Sequence, residues 1–136
     1  MEFPYEIYPD DVHPKGYVVL PLLDVTLFYR GNQHDVKCLV DSGADECLFH
    51  SSVAENLGID LESGEPRTYL PVGGSAIEGF VHRIGLQIHG FDEQIEIEAG
   101  FSRENQLSLL GQAGFFENYE VIFRRYEKRF EINSIF

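Results

Sequence analysis

The sequence predicts a mostly-β single domain, barrel-like or a sandwich, with one or two short helices. Three observations predict it. Apolar and polar residues alternate in short runs, as in Ile95-Glu96-Ile97-Glu98-Ala99, instead of recurring at helical spacing. β-Branched and aromatic residues fill other runs, as in Val25-Thr26-Leu27-Phe28-Tyr29. Turn formers separate the runs at short intervals, at Arg30-Gly31-Asn32-Gln33, Gly73-Gly74 and Gly90. A length of 136 residues suits one domain with one core.

The elements follow in order. Residues 1–16 carry Pro4, Pro9, Pro14 and several acids, and read as an irregular N-terminal arm tied down by Phe3, Tyr5 and Tyr8. Residues 17–136 form the domain. Strand character begins at Tyr17, breaks at Pro21, and resumes over 25–29. The Arg30–Gln33 turn then makes a hairpin with Val36–Val40. In that strand Val36, Cys38 and Val40 share one face, and Leu39 and Asp41 the other. Ser52-Val53-Ala54-Glu55 fits a capping box, and Gly58 stands where a C-terminal glycine cap belongs, so a short helix is expected between them. Residues 60–66 read as a loop. Strands follow at 67–72 and 77–82, and a further hairpin at 84–89 and 94–99. An apolar strand ends in Ser108-Leu109-Leu110-Gly111, and 112–118 is a helical turn. Alternating strands at 119–123 and from Phe130 onward flank an Arg124-Arg125 turn.

Composition narrows the function. Net charge is −13, which excludes partners that need a basic surface, namely nucleic acid and anionic membranes. We read the acidity as solubility in preference to selection of basic substrates. No apolar run approaches the roughly 18 residues of a membrane span. The N-terminus lacks the pattern of a secretory signal, so a cytoplasmic location is expected. Cys38 and Cys47 are too few for a disulfide framework and read as small core residues of a reducing compartment. His82 and His89 fall on opposite strand faces, and Asp41, Asp45 and Glu46 lack the alternation of a calcium loop, so no metal is expected. Gly73-Gly74 lacks the helix and lysine of a phosphate loop. No cofactor is implied.

One stretch carries chemistry. In Cys38-Leu39-Val40-Asp41-Ser42-Gly43-Ala44-Asp45 an apolar strand runs into an acid that opens a small-residue turn. Asp-Ser-Gly is a common turn. A carboxylate beside apolar walls, however, has a partner or a perturbed pKa, and such groups concentrate at functional sites. This stretch resembles the active-site signature of retropepsin-like aspartic proteases. Leu109-Leu110-Gly111 resembles the apolar-apolar-glycine element that packs on the catalytic turn in that family. Tyr69-Leu70-Pro71-Val72-Gly73-Gly74-Ser75 stands in the place of its glycine-tipped flap hairpin. The helix before Gly58 is similar to that of bacterial members. The resemblance spans about residues 17–133 and implies a retropepsin-like acid-protease β-barrel with a flap.

The resemblance also implies roles. Asp41 would be the catalytic acid. Water-driven peptide hydrolysis needs a base and an acid, and two adjacent carboxylates that share one proton supply both. The chain has one Asp-Ser-Gly turn, so the partner is Asp41 of a second copy in a homodimer acting on a peptide or protein substrate. Ser42 would tie the two turns together, and Gly43 would offer its carbonyl to substrate. Ala44 would line the cleft, and Asp45 would meet substrate amides. Leu109, Leu110 and Gly111 would support the turn. Gly73, Gly74 and Ser75 would form the flap tip, with Val72 and Ile77 presenting apolar surface. Two departures bear on this. Gln112 replaces the family's usual arginine partner of the acid at the Asp45 position. In viral members the termini interleave into a dimer sheet, and here a long acidic arm precedes the domain. A catalytically silent peptide-binding or regulatory domain is the alternative. A sugar hydrolase is a weaker one, because its second acid would have to be Glu46 or Glu78, and neither has supporting context.

Overall fold

The expected alternation becomes strands wherever one face can be buried. The computed structural model describes residues 1–71 and 73–136. Its strands are β1 (Glu2–Pro4), β2 (Glu6–Pro9), β3 (Tyr17–Leu20), β4 (Leu22–Tyr29), β5 (Asn32–Val40) and β6 (Cys47–His50). The helix α1 (Ser51–Asn56) follows, then β7 (Glu65–Tyr69), β8 (Ile77–Ile88), β9 (Ile95–Ser102), β10 (Leu109–Leu110), β11 (Tyr119–Arg124) and β12 (Arg129–Ser134). The main sheet runs β4-β5-β10-β6-β9-β8, and a β4–β8 pairing closes it into a six-stranded barrel. Closure removes both open edges of that sheet. The core inside it includes Leu23, Val25, Leu27, Cys38, Phe49, Ile84, Leu86, Ile97, Phe101 and Leu110, all nearly inaccessible.

Local chemistry sets the joints. Tyr29 pairs with Asn32, so Arg30 and Gly31 alone make the hairpin turn, both at positive φ as a two-residue primed turn requires. Helix α1 ends as expected: Gly58 is left-handed at φ +74°, its N–H reaches Glu55 O, and the Ile59 N–H reaches Ala54 O. Its start differs from the capping-box expectation. The cap is His50, whose Nδ1 accepts from the Ser52 N–H at 3.1 Å. Among the described residues a single α-helix forms, and residues 61–63 and 125–127 add only short 3-10 turns.

Two further expectations need correction. The arm is not irregular. β1 pairs antiparallel with β12, and β2 pairs with β3. Phe3 stacks on Phe130 and Phe91, while Tyr5 meets Phe130 edge-on. Pro4 and Pro9 are tolerated because β1 and β2 are edge strands and each proline closes its strand. The segments 77–82 and 84–89, expected as separate strands, are one strand, β8. Its first half pairs with β7 and its second half with β4, and Arg83 points outward midway to Glu96.

Candidate active site

The barrel places β10 between β5 and β6, parallel to the first and antiparallel to the second. The chain therefore leaves β5 at Val40, loops through residues 41–46, and re-enters the sheet one strand further on. Asp41 stands at the top of that split. Its N–H bonds Leu110 O at 3.0 Å, and its carboxylate accepts from the Gly43 N–H at 2.9 Å. The Ala44 N–H closes the turn on Asp41 O. Both the backbone and the side chain of Asp41 are thus fixed by short-range bonds.

Gly111 explains the apolar-apolar-glycine pattern. A Cβ there would lie 2.4 Å from Glu46 O and 2.7 Å from Ala44 O. Only a glycine lets β10 run out against the back of the turn. The next residues lock it: the Gln112 N–H bonds Ala44 O, and the Ala113 N–H bonds Asp45 O. The Gln112 side chain donates from Nε2 to Ser42 O at 2.6 Å. Gln112 therefore clamps the turn's backbone, and no ion pair to Asp45 forms among the described residues.

Asp41, Gly43, Ala44, Asp45, Leu109 and Ile77 line one cleft of about 770 Å³, together with Glu46, Leu48, Tyr69 and the 104–107 segment. Asp41 is half-buried and Asp45 is exposed. Ser42 is exposed, and its hydroxyl has no hydrogen bond among the described residues. Leu110 and Gly111 are buried behind the turn. Gly73, Gly74 and Ser75 do not line the cleft. They sit exposed beyond Leu70 and Pro71, where the Gly74 N–H folds back to Pro71 O at 3.2 Å and Gly73 takes φ +73°. Val72 lies outside the described residues. Among those residues no three His, Cys, Asp or Glu side chains cluster to hold a metal ion. No helix is long and apolar enough to cross a membrane.

The sequence reading gave no individual role to three residues in or beside the cleft. Arg67 on β7 forms an ion pair with Glu46 of the cleft lining and ties β7 to the 41–46 loop. Tyr69 lies over Gly79, and its hydroxyl presses on Gly100, where no Cβ could fit. That hydroxyl is buried without a partner among the described residues, and burial above all, with Glu46 adding, pushes its pKa up to about 12. Asn105 also lines the cleft and is buried, with its Oδ1 unpartnered among the described residues. The glycines at 79 and 100 were a signal for Tyr69, but only tertiary pairing says which ring they admit. The two cysteines are buried and unpaired, and burial raises both thiols, Cys47 to about 11. They act as core, not as nucleophiles.

A closed barrel with an aspartate turn backed by an inserted apolar-apolar-glycine strand defines the class: a single-domain, retropepsin-like acid-protease fold. The profile of the aspartyl protease family matches residues 25–111, and the chain belongs to that family. A retropepsin-like aspartic protease from Rickettsia conorii superposes over 98% of this chain and 98% of its own, with a TM-score of 0.61 and 18% identity. The EIAV protease, solved with the inhibitor HBY-793, covers 68% of this chain and 82% of its own, with a TM-score of 0.50 and 19% identity. At these identities the likeness is one of fold. Comparison with curated proteins finds no match.

Proposed function

We propose that this protein is an aspartic endopeptidase working as a homodimer, in which each chain contributes Asp41 to one dyad. The observation that carries the reading is the Asp41 carboxylate, pinned by the Gly43 N–H and backed by β10, in the lining of the cleft beside the β7–β8 hairpin. One Asp41, ionised, takes a proton from water as the water oxygen attacks the peptide carbonyl. The other, protonated, gives its proton to the carbonyl oxygen. The tetrahedral diol then collapses: one hydroxyl returns a proton, the departing nitrogen gains one, and the C–N bond breaks. Like charges at close range keep one proton shared, so the pair titrates as a unit.

The remaining roles belong to the same reading. Ser42 would bond the partner's turn through its exposed hydroxyl. The Gly43 carbonyl and the Asp45 carboxylate would hold an extended substrate backbone, as in strand addition. Ala44 and Ile77 would face its side chains. Gly73, Gly74 and Ser75 would act as the tip of a flap that closes when peptide enters. Two unpaired buried thiols suit the reducing cytoplasm we assign.

Peptide hydrolysis from about pH 3 to 7 tests the proposal, because a coupled carboxylate dyad favours acid. Wild type should cleave, and Asp41→Asn should lose at least about a hundredfold in rate. Undiminished cleavage by the variant would sink it. Two observations favour a second reading, a silent peptide-binding domain: β1 pairs with β12 of its own chain, and Gln112 replaces the usual arginine. Mass in solution separates the two, since a strict monomer cannot assemble the dyad.

A further inference from the structure

Strand β7 stands at the end of its sheet. Among the described residues it pairs with β8 alone, so its other side has no backbone ladder to hold it. Two side chains on one face of β7, two residues apart, hold that side instead. The Tyr69 ring fits the notch left by Gly79 and Gly100, beside Leu48 of β6. Arg67 reaches the Glu46 carboxylate through its Nη1. The two side chains of that pair are only 32% and 26% exposed. A partly covered guanidinium–carboxylate pair is stronger than a solvated one, and removing either partner leaves the other charge uncompensated. Glu65 lies 3.9 Å from the same guanidinium but is largely exposed, so Glu46 is the partner that counts.

Glu46 is a fixed anchor. Its backbone bridges Ala113, and its carbonyl lies against Gly111, the glycine that backs the Asp41 turn. The pair therefore joins the loop that carries Asp41 to the strand that leads into Leu70 and Pro71, two residues of the cleft lining. The second strand of the hairpin is braced separately. Ser102 Oγ donates to Glu78 O at 2.6 Å, and the Glu78 N–H donates to Glu104 Oε2 at 2.9 Å. Thr68 Oγ1 donates to Glu78 Oε1 at 3.2 Å across the hairpin. Both strands are thus held next to Tyr69 and Ile77, the last pair of the β7–β8 ladder.

We propose that Arg67 and Glu46 are positioning residues of the peptidase: their pair clasps the β7–β8 hairpin to the Asp41 loop and so sets the height at which the hairpin holds a peptide. Neither takes part in the proton transfers. The proposal rests on the protease reading and adds the device that fixes the cleft over Asp41. With the clasp closed, β7 keeps its place beside the cleft. With it open, the free side of β7 has only the Tyr69 ring to hold it, and peptide is bound more loosely.

Peptide hydrolysis and hydrogen exchange of the full chain test it together. Arg67→Met keeps the apolar stem and removes the charge. It should raise KM about tenfold and leave kcat within about threefold, the pattern of lost binding geometry. A variant that was merely less stable would instead lose kcat, through fewer folded molecules, and keep its KM. Arg67→Lys keeps the charge and should recover part of the loss. Glu46→Arg combined with Arg67→Glu should recover more than either reversal alone, with Arg67→Lys deciding if the double variant does not fold. Exchange of residues 65–69 should speed up about tenfold in Arg67→Met while β4, β5 and β9 stay as in wild type. An unchanged KM in Arg67→Met, or a double reversal no better than the single ones, overturns the clasp and leaves the protease reading intact. No hydrolysis by wild type overturns the protease reading, and the exchange result then decides alone whether the pair holds β7.

Discussion

Two side chains at the site give opposite lessons about polar burial. Gln112 Nε2 bonds Ser42 O at 2.6 Å, so Gln112→Ala should cost about 1 kcal/mol in denaturant unfolding. Gln112→Arg keeps a donor and adds a charge beside Asp45. It should be neutral or stabilising by less than about 1 kcal/mol, as an exposed pair allows. A loss larger than that of the alanine variant would show that the clamp needs the amide itself. The Tyr69 hydroxyl, by contrast, is buried with no partner among the described residues. Tyr69→Phe removes it with little change of shape, so stability at neutral pH should stay level or rise by up to about 1 kcal/mol. The pH dependence follows from the same burial. The folded-state pKa of about 12 lies above that of the unfolded chain, so the phenol stays protonated in the fold after it has ionised in the unfolded state. Its contribution is intact below pH 10 and is lost as pH rises toward 12. Thermal melts across that window should fall less steeply for Tyr69→Phe than for wild type.

At the level of elements, two-residue β10 governs the Asp41 turn although it is the shortest strand. Gly111→Ala would set a Cβ against two backbone oxygens that cannot move without opening the loop. It should cost about 2–4 kcal/mol and weaken peptide binding together with stability. Gly73→Ala meets no atom within 4 Å and should cost only about 1 kcal/mol, the strain of its positive φ. Denaturant unfolding of the two variants would separate crowding from backbone strain. Leu109-Leu110-Gly111 was legible because its requirement is local: two apolar residues and no Cβ. The Arg30-Gly31 turn and the Gly58 cap were legible for the same reason. The helix start was not, because a histidine ring performed the capping that serine usually performs. The continuity of β8 was not, because nothing in Arg83 marks where one partner strand hands over to another. The packing roles of Asn105 and Tyr69 were not legible, because they depend on what packs over these residues from distant segments. Asp41 itself was legible as a candidate, while its cleft neighbour Asn105 and the Arg67–Glu46 pair required the fold.

The whole molecule raises the question of the second carboxylate. β1 lies along one edge of β12 and β11 along the other, so the terminal sheet β1-β12-β11 is built from one chain. A second copy can add to it only at the outer edges of β1 or β11 unless a strand is displaced. Displacing β1 would unstack Phe3 from Phe130, at a cost of about 2 kcal/mol or more in apolar burial. Association through interleaved termini is therefore expected to be weak, and specific activity should rise with protein concentration in step with the dimer fraction seen by sedimentation. Mixing gives the sharper test. If the dyad spans two chains, wild type diluted with Asp41→Asn forms mixed dimers that carry one intact aspartate. At equal proportions and constant total chain, with exchange complete, only about a quarter of the dimers are fully wild type, so activity should fall as the square of the wild-type fraction. A linear fall to about one half would mean that each chain acts alone, and the cross-chain dyad would have to be abandoned. The quadratic result would locate the missing carboxylate in a second Asp41 without requiring a structure of the dimer.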